Sequence, residues 1–344
     1  MRISKKAGIS IFLVVAFVLA AIILLHNNPG AAPREELLKK AISVGVILAS
    51  CVIFVRWYDK FMVLPVELWQ SRHLIWKLAK NDFKKRYAGS YLGAFWAMAQ
   101  PVVTVGMYYI VFDVIMGGNA SRTAADVPFV LFLTAGLVPW FFFNEALNHG
   151  TNALREYDYL VKKVVFKISI LPIIKIIAAT FIHVFFVLVL LIVAAIYGFY
   201  PSVYTIQLVY YSACLFIFVL ALCYTTCAVV VFFKDLAQII NIALQIGMWA
   251  TPILWDINTL TDSKWVTLLK LNPLVYIVNG YRSAIYERQW FFEDFFSTMY
   301  FWIVTVVLFG IGALIFKRLK VHFLENLQQI VKLDCVRQVH HSRV

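Results

Sequence analysis

From Glu67 to Arg86 the apolar and polar positions separate onto two faces at a helical period. Leu68, Trp69, Ile75, Trp76, Ala79 and Phe83 fall on one face, and Gln70, Ser71, Lys77, Lys80, Asn81 and Lys84 on the other. Such a helix lies in a membrane surface, with Trp rings at headgroup depth and lysines on the wet side. Lys84, Lys85 and Arg86 close its last turn, where the helix dipole and a cytoplasmic leaflet both favour cations. The pattern then changes to long apolar runs. These predict six spans, at about 91–116, 127–147, 170–200, 204–233, 236–254 and 295–316. Two more apolar segments, 9–25 and 38–57, precede the amphipathic helix. The first follows a basic N-terminus, so it reads either as a span or as a cleaved signal peptide. Under both readings the second runs inward and leaves the amphipathic helix cytoplasmic.

Three stretches depart from the plain alternation of span and loop. Residues 150–167 form a polar helix of about three turns, with Arg155, Glu156, Asp158, Lys162 and Lys163 interleaved with Tyr157, Tyr159 and Leu160. It is either a charged loop or a surface offering anchors and polar contacts to a partner. Residues 256–290 are too apolar for a solvated loop and read as two short helices broken at Asn272-Pro273. A re-entrant hairpin fits, because non-helical backbone at membrane depth must be shielded by protein or line a wet cavity. Extra soluble structure over the outer face is the other reading. In the fifth core span, Gln238, Asn241 and Gln245 draw a polar stripe that either lines a path or joins helices. Trp249 continues that span, and Tyr91, Phe95, Trp96 and Tyr108 recur along the first core span. Aromatic faces stack on sugar rings and also simply pack. His183, alone in an apolar span, reads as a hydrogen-bonded core histidine.

Composition fixes the class: 62% hydrophobic and 14% charged residues, with a mean hydropathy of +0.81, describe an integral membrane protein. The net charge of +13 gathers at 56–86, at 155–167 and from Lys317 onward. That bias puts both termini in the cytoplasm and explains the charge without nucleic acid. Cys223 and Cys227 stand one turn apart with no second pair or His to complete a zinc site, so the cysteines read as small packing residues. No Walker A sequence occurs, so the chain is expected to hydrolyse no ATP and to be no enzyme. The acidic residues sit in loops or near span ends, with Asp113 and Glu145 deepest, which argues against an ion-coupled carrier. A membrane-bound glycosyl- or acyltransferase would need a catalytic set that the sequence does not offer.

The basic helix running into an apolar span, the Pro252-Ile253 pair, Asn272-Pro273, Tyr281-Arg282 and the order of elements from about Leu68 to Leu327 together resemble one family. This is the ABC-2 type permeases that export polysaccharides, polyol phosphates and teichoic acids, and stretches such as VPFVLFLTAGLVPWFF look nearest to the teichoic acid branch. The resemblance implies an all-α membrane protein with a six-span permease core over 91–316 and an interface, or gate, helix over 61–90. It implies a coupling helix over about 150–167 and an outer re-entrant hairpin over about 256–290. Residues 1–60 would add two transmembrane helices and 317–344 a cytoplasmic tail, neither with an assigned role. Lys234-Asp235 stands where the family usually has Arg-Asp, keeping the charge without the bidentate fork.

The function implied is ATP-driven outward movement of an undecaprenyl-diphosphate-linked polymer by a homodimer paired with two ATPase subunits in the cell membrane. ATP and magnesium would bind the ATPase and not this chain. The substrate path would run along Tyr91, Phe95, Trp96, Tyr108, Gln238, Asn241, Gln245 and Trp249. The gate helix would present Trp69, Arg72, Trp76, Lys84, Arg86 and Tyr87, and the ATPase would dock on Arg155, Glu156, Tyr157, Leu160 and Lys162.

Overall fold

The computed structural model describes residues 5–25, 33–86, 91, 93, 95–115, 127–157, 167–257, 260 and 263–341; from residue 320 the last helix is described by its backbone alone. The described residues contain helices and no strand. Five helices are long and apolar enough to cross a membrane: Lys5–Leu25, Phe129–Glu156, Ile168–Ile196, Val203–Phe232 and Phe295–Leu319. The other three expected spans fall on the helices Pro33–Phe61, Phe95–Tyr109 and Leu236–Ala250.

The chain divides at residue 70 into two compact units. The first holds α1 (Lys5–Leu25), α2 (Pro33–Phe61) and α3 (Val63–Gln70). Here α1 and α2 are antiparallel. Lys5 pairs with Asp59, Phe12 stacks on Phe54 at 4.0 Å between centroids, and Lys40 Nζ donates to the Leu24 carbonyl at 3.4 Å.

The second unit begins where the amphipathic helix breaks. The sequence pattern runs unbroken through residue 71, but the structure ends α3 at Gln70 and starts α4 (Arg72–Arg86) after a turn at Ser71. Serine competes with the helix through its own hydroxyl, which makes it a poor interior residue and a good place to begin anew. Next come α5 (Phe95–Tyr109), extended by a wider π turn over Ile110–Ile115, and α6 (Phe129–Glu156). A single 3-10 turn leads into α7 (Leu171–Ile196), with Pro172 in its first turn, where a missing N–H costs nothing. The remainder is α8 (Gln207–Phe232), α9 (Leu236–Ala250), α10 (Ser263–Lys270), α11 (Pro273–Arg282) and α12 (Phe295–His341).

The centre of the unit is α6, packed against α7, α8, α9 and α11. Its first half, residues 129–143, is apolar on all sides, and Leu131, Leu133 and Leu137 are wholly buried. Close helix approach depends on small residues. A side chain at Gly150 would meet the Cys223 sulfur at 2.3 Å, and there the Thr151 and Thr226 hydroxyls bond across α6 and α8 at 2.8 Å. Cys214, Cys223 and Cys227 are free and buried in such packing, as the sequence suggested.

Two expected boundaries move. The polar helix at 150–167 does not begin as a separate element: its first turns are the end of α6, which runs on to Glu156. The Thr151–Thr226 bond and the Asn152 amide, donating to the Asn148 carbonyl at 3.0 Å, keep that extension regular. The fifth core span is also shorter than expected. At 15 residues, α9 reaches roughly 22 Å, less than a hydrocarbon core of about 30 Å.

Candidate functional site

Two sites emerge in the second unit, an amide-lined cavity beside α9 and a buried ion cluster at the foot of α4. On α9 the apolar Ile240 and Leu244 are buried, while Gln238, Asn241 and Gln245 are exposed beside them. The exposed stripe looks across a cavity of about 400 Å³ to Asn144 and Asn148 on α6, with Trp140, Leu244 and Met248 completing the lining. Asn148 Nδ2 donates to the Asn144 side-chain oxygen Oδ1 at 2.9 Å, so the α6 amides form an ordered row of their own. The cavity therefore has amides on both walls and, among the described residues, no ionisable lining residue. The sequence pattern showed only one wall. The other was legible as Asn144 and Asn148 at a spacing of four, hidden in what read as the end of a span and the start of a loop.

The aromatic members of the expected path are placed differently. Tyr91, Phe95 and Trp96 are exposed and Tyr108 is half-buried; none of the four lines this cavity. Trp249 is exposed near the end of α9.

The buried face of α4 is Ile75, Ala79 and Asp82. Asp82 is the surprise in an otherwise apolar row. Its carboxylate accepts from Lys175 Nζ on α7 at 2.6 Å, from the Tyr157 hydroxyl at 2.6 Å and from Arg86 at 3.1 Å. Lys175 also donates to Glu156 Oε2 at 2.5 Å, and Arg86 to Glu145 at 2.8 Å. The Lys175 ammonium lies 4.7 Å from the Tyr157 ring centroid. Burial alone would push the Asp82 carboxyl up, but the hydrogen bonds from Lys175 and Tyr157 and the charges of Lys175 and Arg86 outweigh it, holding the pKa below the ordinary 3.8. The same helix is anchored by rings: Trp76 and Phe83 both pack edge-on against Phe181, at 5.4 and 5.7 Å.

These contacts rearrange the expected surfaces. Arg72, Trp76 and Lys84 are exposed on α4 and Trp69 is exposed on α3, but Arg86 is drawn inward to the ion cluster. Arg155 and Glu156 are exposed at the end of α6. Tyr157, expected as a docking anchor, is 7% exposed and turned toward Asp82 within its own chain. A phenol beside an apolar ring face and a buried carboxylate is better satisfied inside than at the surface. Tyr87, Leu160 and Lys162 lie outside the described residues.

The stretch expected to be re-entrant is two helices, α10 and α11, broken at Asn272-Pro273 as expected. The Asn272 side chain accepts from Leu274 N at 3.1 Å, starting α11, and donates to Thr251 at 2.9 Å. Arg282 at the other end of α11 is buried, donates to the Ile253 carbonyl at 3.1 Å and lies 3.5 Å from the Phe132 ring centroid. Thus the turn around Pro252-Ile253, the Asn-Pro break and the Tyr-Arg pair, scattered in sequence, are joined by direct bonds. Tyr281 contributes a third tie: its hydroxyl bonds Ser212 at 2.6 Å and His183 at 3.0 Å. His183 is accordingly the hydrogen-bonded core residue expected of it.

Comparison with known proteins bears on the whole second unit. The pattern of the ABC-2 type transporter family matches residues 73–286. An O-antigen export system permease protein of Myxococcus xanthus is 30% identical over 262 residues, spanning 76% of this chain and 98% of the relative. One from Klebsiella pneumoniae is 26% identical, over 73% and 93%. A polysialic acid transport protein of Escherichia coli is 24% identical, over 69% and 90%. With that family match beginning one residue into α4 and ending in the turn after α11, the chain belongs to the ABC-2 type transporter family.

Proposed function

We propose that this chain is the membrane subunit of an ATP-driven exporter that moves an undecaprenyl-diphosphate-linked polysaccharide from the cytoplasmic to the outer face. It acts as a homodimer with two ATPase subunits and holds both termini in the cytoplasm. The observation that carries this reading is the pair of amide rows facing each other across about 400 Å³ of space. Carboxamides offer donors and acceptors without charge, which suits a hydrated chain that must be held and released repeatedly. Exposed amides on α9 are costly against lipid, so they favour a wet path or a second copy as their neighbour. A short helix bordering such a path is tolerated where it lines an aqueous space.

The relatives described above are named for O-antigen and polysialic acid, which favours a polysaccharide over a teichoic acid. An ion-coupled carrier is disfavoured because the cavity has no ionisable lining among the described residues. Arg155 and Glu156 remain the proposed ATPase contacts, together with Leu160 and Lys162, and Tyr157 now belongs to the internal linkage. Docking there would be passed to the gate helix through Glu156, Lys175 and Asp82.

The test is reconstitution. The purified chain alone should hydrolyse no ATP; with its ATPase in proteoliposomes it should move a fluorescent lipid-linked oligosaccharide outward only when ATP is present. Movement driven by an ion gradient without ATP would overturn the assignment.

A further inference from the structure

A second and larger cavity, of about 610 Å³, opens between the α10–α11 hairpin and the start of α12 and shares no lining residue with the amide-lined one. Its volume lies in the range of small-molecule sites, about 300–1,000 Å³. The wall is built rather than incidental. Gln207 clamps it, accepting from Phe291 N at 2.7 Å and donating to the Gln289 carbonyl at 2.9 Å, and the Tyr300 hydroxyl holds the Leu271 carbonyl at 2.6 Å.

Two polar groups in the lining are unspent among the described residues. Arg282 is buried, and its Nε has no hydrogen-bond partner. Asn279, half-buried one turn earlier, makes no side-chain hydrogen bond. A buried donor left unpaired is costly, and a bound acceptor would remove that cost. Tyr286 and Phe296 add aromatic faces to the same wall. Among the described residues the charges in the lining are Lys270 and Arg282 against Asp256, Glu287 and Asp294, so carboxylates outnumber cations. That balance repels a phosphate- or carboxylate-bearing chain and suits hydroxyls, which donate to carboxylates and accept from guanidinium and amide.

We propose that this cavity binds an uncharged glycan segment of one or two pyranose units, stacked on Tyr286 and Phe296 and hydrogen-bonded by Asn279, Arg282 and Glu287. As a holding point for the emerging polymer it rests on the exporter reading and its orientation; as a sugar site it does not.

Saturation-transfer NMR on the purified full chain in nanodiscs tests it directly. The probes are neutral disaccharides containing rhamnose, mannose or N-acetylglucosamine, with a sialic acid disaccharide and glycerol 3-phosphate as charged comparators. Transfer to at least one neutral disaccharide is expected, weakened about tenfold by Asn279→Leu and by Phe296→Ala, each the loss of one polar or stacking partner. Both positions are partly exposed, and an unchanged melting midpoint in each variant separates lost binding from lost fold. Ile192→Ala, on the exposed face of α7 and lining neither cavity, should leave the signal intact. No transfer to any neutral sugar, stronger transfer to the charged probes, no loss in either cavity variant, or loss in Ile192→Ala would each overturn the site. ATP-dependent export with no sugar signal would defeat this proposal alone; a sugar signal without ATP-dependent export would defeat only the exporter reading.

Discussion

Lys175 is the residue that ties α4, α6 and α7 together at one end of the second unit. Its ammonium is 4% exposed and satisfied by two carboxylates, Asp82 from α4 and Glu156 from α6. Removing one partner from a buried ion pair costs about 3–5 kcal/mol, because the other charge stays buried and uncompensated. Asp82→Ala should therefore lower stability by about that much, as read from denaturant titration of the detergent-solubilised chain. Glu156, 46% exposed, is a weaker partner, and Glu156→Gln should cost well under half as much. Tyr157→Phe removes one charge-assisted hydrogen bond and should cost about 1.5–3 kcal/mol without touching packing. The pH dependence follows from the sign of the Asp82 shift. A carboxyl held below its ordinary 3.8 contributes its full stabilisation above that value and loses it as pH falls through the lower folded value. Between pH 8 and 5 the Asp82 contribution should be flat, and Asp82→Asn should erase a loss that appears only in stronger acid.

At the scale of elements, sequence pattern and structure agree where periodicity decides the outcome and part where partners decide it. The amphipathic stripe gave α4 its buried Ile75 and Ala79 correctly, since spacing alone puts them on one face. It gave no sign that Asp82 belongs to the same face, because a carboxylate there is stable only through Lys175 and Tyr157, 93 and 75 residues away. The Asn272-Pro273 break was legible because proline and a capping amide act locally. The run of α6 to Glu156 was not, because polar composition at 148–156 resembles a loop until Thr226 is brought beside Thr151. The hairpin offers the sharpest test of element packing. At Gly280 a side chain would lie 2.1 Å from the Tyr211 ring, so α11 can approach α8 only with glycine there. Gly280→Leu should separate α11 from α8, and limited proteolysis should then cut between residues 255 and 290, a region expected to be protected in the parent.

At the scale of the whole molecule the question is what covers α9. Ile239, Ile242, Ile246 and Trp249 are exposed alongside the amide stripe, so one chain leaves most of this helix bare. Lipid can cover the isoleucines but not the amides at comparable cost. If α5 and α9 of each copy meet at the centre of the proposed homodimer, as the family resemblance implies, the exposed Tyr91, Phe95 and Trp96 would come toward the amides of the partner copy. If the stripe is a path, filling it should stop transport and spare assembly. Asn241→Trp and Gln245→Trp each place an indole into a cavity of about 400 Å³ that lies between α6 and α9. Export by proteoliposomes should fall to background in both, while the complex with the ATPase still purifies intact. Asn144→Leu on the facing wall should have a milder effect, because it removes hydrogen bonding without blocking the space. If the stripe only joins helices, the ordering reverses. Losing an interhelical amide would then weaken assembly, so Asn144→Leu and Asn241→Leu would dissociate the complex as readily as the tryptophans. Size-exclusion chromatography and export, measured on the same four variants, separate the two readings: assembled but silent tryptophan variants support a path, and dissociation across the set refutes it.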